Sequence, residues 1–306
     1  MMPSAPVSIF LSIHGDSEFL REFLDSLAAQ TCRDFTLRYR FDGPVSPQTE
    51  ELMKRYPFAS GLTDRRHVGV VASYQMLLDS DRDCPYCMFA DQDDVWKPAK
   101  VAECLAAIRK AEAALPGGTP VLVHSDLCVV DESLRPIAAS MVRYQSLNPA
   151  RTSLADLMIQ NNVTGCTVIC NRALADLANI PAEAICHDWY LALIAAAFGS
   201  IVFLPTPLVD YRQHKGNVYG AVKRGSLLRR FFQREHLHSR IELTRRQAGA
   251  FLEQFRAALS PEQAELVGDW SRGLADASYF RRLGTIWRHG FRKNDWLRTI
   301  GLWWAA

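Results

Sequence analysis

The spacing of apolar and polar positions along the 306-residue chain changes period many times, and each change marks an element. Val7–Ile13 is an apolar run of strand length. Over residues 17–29, Phe19, Leu20, Phe23, Leu24 and Leu27 recur at helical spacing. Phe35–Phe41 reads as a second strand, and Asp42-Gly43-Pro44 ends it as a turn. The same reasoning predicts helices over 48–56 and 68–78, a short buried strand at Tyr86–Ala90, and a helix over 100–115. Beyond the Pro116-Gly117-Gly118 break it predicts strands at 121–126 and 164–170, an apolar helix over 189–198, and strands at 201–204 and 209–212.

Strands that alternate with helices predict an α/β fold with right-handed crossovers and a mostly parallel central sheet flanked by helices. After Gly225 the pattern turns helical and holds five of the seven Trp residues. No repeat or low-complexity linker interrupts the chain. The expected division is a catalytic unit at 1–220 and a basic, Trp-containing helical extension at 221–306.

Composition adds three exclusions. With 48% hydrophobic and 22% charged residues the chain is too apolar to be disordered. It lacks a basic N-terminal region before an apolar core, and no stretch approaches the roughly 20 apolar residues of a membrane span, so the reading is neither secreted nor integral. Its eight cysteines lie mostly in apolar segments, as buried thiols do in a reducing compartment. Cys84 and Cys87 form a CxxC with no second pair to complete a zinc site. Net charge is only +2, but residues 221–306 carry 16 Lys/Arg against 8 Asp/Glu, so the extension is basic and the body mildly acidic.

Asp91-Gln92-Asp93-Asp94 follows the 86–90 strand, at the carboxyl end of the sheet where α/β folds bind ligands. Three carboxylates in four residues repel one another unless a cation neutralises them. Oxygen ligands of this kind suit Mg²⁺ or Mn²⁺ carrying a diphosphate; the alternative is a solvated acidic turn. His214, with Arg212 and Lys215 beside it, is a second candidate metal or phosphate contact, although Arg212 is equally suited to a salt bridge.

The run 89–100, FADQDDVWKPAK, resembles the DxD region of family-2 glycosyltransferases, especially the rhamnosyltransferase branch. The resemblance extends from Val7 to Gly220. It takes in Asp42-Gly43, Val68-Gly69-Val70, His124-Ser125-Asp126-Leu127, Asn161 to Cys166, His187-Asp188-Trp189-Tyr190 and Tyr211 to Asn217. It implies a GT-A nucleotide-diphospho-sugar transferase fold and inverting, metal-dependent transfer. By the same resemblance Asp42 matches the carboxylate that recognises the nucleotide base, Asp91 the one near the ribose, Asp93 a metal ligand and Asp188 the catalytic base. His214 falls in the Tyr-Arg-Gln-His motif as the second metal or diphosphate contact, and Arg212 as a phosphate partner. Asn161, Asn162, Gly165 and Trp189 are expected to line the acceptor or sugar pocket, with ordinary turn chemistry as the alternative for the two asparagines. For Asp188 the alternative is a helix N-cap. His14-Gly15-Asp16 stands near the family's base position, or opens a helix with Asp16 or Ser17 as cap. Phe41 departs from the family, which has a second acid there, as does Pro44, where Ser is common.

The implied donor is a nucleotide-diphosphate sugar, dTDP-L-rhamnose first and a UDP-hexose second. The implied acceptor is a glycan or lipid-linked glycan, such as a growing O-antigen or capsule. In the extension, cations from Lys223 to Arg298 interleave with Leu, Phe and Trp, and Trp287, Trp296, Trp303 and Trp304 suit a membrane interface. A helical cap on the catalytic unit or a dimer contact explains the same residues. The expected location is cytoplasmic, peripheral at the inner face of a bacterial plasma membrane. No nucleic-acid reader motif accompanies the charges. A non-catalytic sugar-nucleotide-binding module, and a metal-dependent hydrolase or nucleotidyltransferase, are the competing classes.

Overall fold

A computed structural model describes residues 6–214, 234–272, 279–294, 299, 300 and 302, and in it the apolar runs assemble into one nine-stranded sheet. β1 (Val7–Ile13), β2 (Phe35–Phe41) and β4 (Tyr86–Ala90) have the bounds that the apolar runs predict. The others are β3 (Ala59–Gly61), β5 (Val95–Trp96), β6 (Val121–Val130), β7 (Pro136–Ala138), β8 (Val168–Asn171) and β9 (Ser200–Arg212). Their order is β3-β2-β1-β4-β8-β6-β9-β5, with β7 on the far end of β6. β1 to β4, β6 and β9 share one direction. β8 is antiparallel to both its neighbours, and β5 and β7 also run backwards, so the sheet is mixed. β8 is not reached by a strand-helix-strand crossover. The chain leaves β6, makes a hairpin contact with β7 and passes two short helices, α5 (Met141–Gln145) and α6 (Leu154–Ile159), before turning back.

Three predicted strands are modified for local reasons. Gly165–Thr167 forms a 3-10 turn with Thr167 N–H on Thr164 O, so the strand starts only at Val168. Conversely, the segments 201–204 and 209–212 are one strand. Pro205 and Pro207 remove two ladder donors, and the pairing with β6 shifts register there instead of ending.

The earlier helices are α1 (Leu20–Ala28), α2 (Pro47–Lys54), α3 (Val70–Asp79), α4 (Lys100–Ala113), α7 (Arg172–Leu177) and α8 (His187–Phe198). α1 buries Leu20, Phe23, Leu24 and Leu27 on one face. Asp16 does not cap it. Its carboxylate accepts from Ser46 N–H, Ser46 Oγ and Thr49 Oγ1 at the start of α2, and these bonds hold its pKa below the usual carboxylate range. α8 is apolar nearly all round and is buried from His187 to Ala195, as a helix covered on every side must be.

The extension contributes α9 (Arg234–Phe255), α10 (Pro261–Ser271) and α11 (Tyr279–Arg288). Ala248, Phe251, Phe255, Val267, Trp270, Ile286 and Phe291 join one hydrophobic cluster with Tyr190, Leu193 and Ile194 of α8. Tyr190 donates to Gln254 at 2.8 Å, and Gln263 donates to Ala197 O at 2.9 Å. The described part of the extension is thus packed on the helical layer, with Trp270 inside and Trp287 70% exposed. Lys215, Gly216, Asn217, the cations at 223–230, Trp296, Arg298, Trp303 and Trp304 lie outside the described residues. Among the described residues no helix is long and apolar enough to cross a membrane. Cys84 and Cys87 are buried free thiols with sulfurs 3.4 Å apart.

Gly199 joins α8 to β9 at a point of close approach. A Cβ there would stand 1.8 Å from the carbonyl oxygen of Pro120. Gly199→Ala is therefore expected to destabilise the fold by about 3 kcal/mol, read as a lower midpoint in urea unfolding at unchanged slope.

Candidate active site

β1, β2, β4 and β9 deliver chemistry-bearing residues to one edge of the sheet. At the end of β2, Asp42 is buried and its carboxylate is heavily used. It accepts from Arg40 Nη1 at 2.7 Å, Val68 N–H at 2.7 Å, Gly69 N–H at 3.0 Å and His67 Nδ1 at 3.1 Å. Burial alone would raise its pKa, but the Val68 N–H and the Arg40 guanidinium outweigh burial and hold the carboxyl below its usual range. Asp42 is thus the clasp of the 65–69 loop. The rings of His14 and His67 lie 4.8 Å apart over its backbone carbonyl, and both Nδ1 atoms face that oxygen.

At the end of β4 the three carboxylates receive different surroundings. Gln92 bridges back to β1, accepting from His14 N–H and donating to His14 O. Asp93 is partly exposed, and His214 Nε2 meets its Oδ2 at 2.6 Å. Asp94 is fully buried and accepts from Arg212 N–H at 3.2 Å. Burial, then the charges of Asp91 and Asp93, push its pKa well up. Asp91 is pushed up to about 7 by burial, then by Asp93 and Asp188. Beneath them the buried Lys100 ammonium lies 3.0 Å from the centre of the Trp96 ring and donates to Cys166 O; burial lowers its pKa to about 8.

The expectation for Arg212 as a phosphate partner meets a different geometry. Its side chain is 1% exposed, stacks over Phe19 and donates to Asp93 O, Glu132 O and Glu22. It braces the acidic loop from behind, because a buried guanidinium needs acceptors on its whole fork and the loop backbone supplies them.

Asp188 sits in the first turn of α8, not at its cap, which is Cys186. Its Oδ1 accepts Trp189 N–H at 2.7 Å, and the Cys186 thiol bonds to the same carboxylate. The Asp188 charge is one of the causes that raise the Asp91 pKa, so the α8 acid is a neighbour of the acid that ends β4. Gly165 packs against the first turn of α8, where a Cβ would stand 3.6 Å from the Asp188 Cβ. Trp189 is a core residue, its indole N–H on Leu157 O at 2.6 Å. Asn162 is likewise turned inward, donating to Arg151 O and accepting from Asn294 of the extension. Asn161 closes its own turn, accepting Val163 N–H at 2.9 Å, as its alternative reading predicts.

Among the described residues, two groups of side chains have the proximity needed for a cation: Asp91, Asp94 and Cys166, and His14, Asp42 and His67. In the first, Asp94 and Cys166 are sealed from solvent and a thiol is a poor ligand for a hard ion. In the second, Asp42 is already saturated by protein donors. Asp93 and His214 are part-exposed and in contact with each other, and Asp91 is raised by the Asp93 charge, but these three do not form one of the close groups.

Sequence reasoning did not single out His67, Tyr74 or Lys100, nor give His187 a role. His67 adjoins the matched Val68-Gly69, and Lys100 closes the 89–100 run, so position alone carried a hint. Tyr74, which donates to Ala90 O at 2.6 Å, gave none.

The sequence profile of glycosyl transferase family 2 matches residues 8–169. The uncharacterized protein Rv1520 of Mycobacterium tuberculosis and its counterpart Mb1547 of Mycobacterium bovis are each 23% identical over 220 residues, 70% of this chain. The match covers 60% of their length. Among solved structures, S. aureus TarS 1-349 in complex with UDP-GlcNAc superposes with a TM-score of 0.58 at 15% identity, over 90% of this chain and 74% of that one. A longer TarS structure gives 0.56 at 15% identity, over 87% and 42%. At such identity the superpositions show the fold alone, which is GT-A.

The raised pKa of Asp91 makes a directional prediction for the metal-free protein. A carboxyl whose folded pKa exceeds its unfolded value of about 3.9 weakens the fold as pH rises between the two, because the folded state then holds more protons. In EDTA, Asp91→Asn should match the wild-type melting temperature near pH 4 and exceed it increasingly up to pH 7. Parallel curves would remove the buried charge from the account.

Proposed function

The chain belongs to glycosyl transferase family 2, and from that premise we propose that it is an inverting, divalent-metal-dependent glycosyltransferase acting on a nucleoside-diphosphate sugar and a glycan or lipid-linked glycan. The observation that carries this reading is the gathering of acids after β4: Asp91 is raised by the charges of Asp93 and of Asp188 on the buried helix α8, and Asp93 meets His214.

In the proposed reaction Asp188 takes the proton of an acceptor hydroxyl while that oxygen bonds to the anomeric carbon. On the opposite face the bond from that carbon to the diphosphate oxygen breaks, and its electron pair leaves with the nucleoside diphosphate. One displacement inverts the configuration and needs no covalent intermediate. Asp93 and His214 would hold a divalent cation, Mn²⁺ or Mg²⁺, which would supply positive charge for the departing diphosphate. Asp91 lies on the ribose side, and Asp42 serves the base through the 65–69 loop that it clasps. Arg212 keeps the Asp93 and Asp94 backbone in place. Gly165 borders the sugar pocket. Asn161, Asn162 and Trp189 hold its frame rather than its surface.

L-Rhamnose from dTDP-rhamnose is the first donor assigned, on the likeness of the 89–100 run and of His187-Asp188-Trp189-Tyr190 to the rhamnosyltransferase branch. The superposition on a TarS complex that contains UDP-GlcNAc favours a UDP-hexose as the second reading. Action at the inner membrane face, in surface polysaccharide synthesis, is supported by the exposed Trp287 beside Arg288. A non-catalytic module of the same fold has no use for an acid at each of 91, 93 and 188.

In a thermal-shift panel of dTDP-rhamnose and UDP-hexoses, one donor should raise the melting temperature with Mn²⁺ and not with EDTA. No shift with any donor counts against the reading. Asp188→Asn should bind that donor and metal as the wild type does while transfer falls roughly a thousandfold. Near wild-type turnover would remove Asp188 as the base.

A further inference from the structure

The Asp42 carboxylate has no acceptor capacity left for a ligand. An ionised carboxylate offers about four lone pairs, two on each oxygen. Oδ1 takes Arg40 Nη1 and Val68 N–H, each at 2.7 Å, and Oδ2 takes Gly69 N–H at 3.0 Å and His67 Nδ1 at 3.1 Å. The side chain is also only 3% exposed. A nucleobase N–H would reach this carboxylate only by displacing one of the donors that hold the 65–69 loop.

What the clasp presents to solvent is a pair of imidazoles. His14 follows β1 and His67 lies in the clasped loop, at the carboxyl end of the sheet where α/β folds bind ligands. Both are exposed, the His67 side chain to 62%, and Val68 and Val70 are exposed beside them. Their ring centroids lie 4.8 Å apart with planes 36° apart. Asp42 dictates their tautomers. His14 Nδ1 lies 2.8 Å from Asp42 O, and His67 Nδ1 lies 3.3 Å from the same oxygen and 3.1 Å from Oδ2. A carbonyl and a carboxylate can only accept, so each Nδ1 carries the proton, and in the neutral ring each Nε2 is left as an acceptor. Two such acceptors on neighbouring exposed rings match a ligand that brings an N–H. A diphosphate, which has only acceptors, does not match them.

We infer that the His14–His67 pair reads the base of the donor nucleotide, accepting through Nε2 the ring N–H of a uracil or thymine imide, while Asp42 acts as the positioning residue that sets the pair. The inference rests on the glycosyltransferase reading and moves base recognition from the carboxylate to the imidazoles above it.

The test is calorimetry on the full chain with Mn²⁺, comparing UDP and dTDP with their N3-methyl derivatives, in which the ring N–H is gone. The wild type should bind one of the parent nucleotides at least roughly tenfold more tightly than its methyl derivative. A His14→Phe/His67→Phe double variant keeps the ring bulk and the Arg40, Val68 and Gly69 bonds to Asp42 but removes both acceptors. It should bind parent and derivative within about twofold of each other. The single variants His14→Phe and His67→Phe give the same readout should the double variant fail to fold, and each should narrow the gap. Equal affinities for parent and derivative in the wild type would overturn the inference. So would a gap that stays unchanged in the variants while both affinities fall together, the mark of a merely structural role. A wild-type chain that binds none of the four ligands overturns the glycosyltransferase reading instead, and that failure is visible before any variant is made.

Discussion

Repulsion among the carboxylates at the end of β4 is the constraint that the rest of the site answers. Ligand atoms of Asp91 and Asp94 lie within 4.8 Å of each other, where two full charges at an effective dielectric of 20 repel by roughly 3 kcal/mol. That is a large part of the net stability of a domain, commonly about 5–15 kcal/mol. The three acids are therefore treated unequally. Asp94 is sealed in and favours its neutral form, Asp93 is paired with His214, and Asp91 keeps a proton to about pH 7. A single ion at the open side removes the remaining conflict.

Meeting that constraint explains why distant segments converge. β9 continues past Pro205 and Pro207 alongside β6, and that length carries Arg212 and His214 to the acidic loop. α1 supplies Glu22 and Phe19 to the Arg212 guanidinium. The reversed β8 brings the Gly165–Thr167 turn beneath the cluster, so that Cys166 O receives Lys100 and Gly165 faces α8. The extension acts on the other side. Gln254, Gln263 and the Phe251–Trp270 cluster fix α8 from behind, and Asn294 and the backbone at 292–293 hold the 151–162 segment.

Legibility follows the range of the interactions involved. β1, β2 and β4 are written in local apolar runs closed by turn residues, and their ends coincide with those runs. Val168 could not be told from Gly165 as a strand start, because a 3-10 turn of buried residues has the same composition as a strand. Pro205 and Pro207 read locally as a break, whereas the long pairing with β6 carries the strand through them. Asp42, Asp91, Asp93, Asp188 and His214 fall in ordered motifs; the structure puts the first three after β2 and β4, His214 against Asp93, and Asp188 in the first turn of α8. The inward turn of Arg212, Asn162 and Trp189 was not visible, since their partners lie 11 to 190 positions away in the chain. The setting of His187 was hidden too: its ring stacks on Tyr74 with neither nitrogen hydrogen-bonded, which only coordinates reveal.

Arg212 and the metal position divide one electrostatic task between a fixed and an exchangeable charge. A guanidinium that reached forward to a phosphate would leave Asp93 O, Glu132 O and Glu22 without their donor, and the acidic loop would loosen as each diphosphate left. Held behind the loop, the same charge acts continuously and does not depend on ligand. The front of the loop then keeps its acidic charge, and under the proposed reading that is where a divalent ion and its diphosphate would bind together and depart together. Under the proposed reading, the burial of Arg212 would let the Asp93–His214 face exchange an ion while the loop backbone keeps its donors.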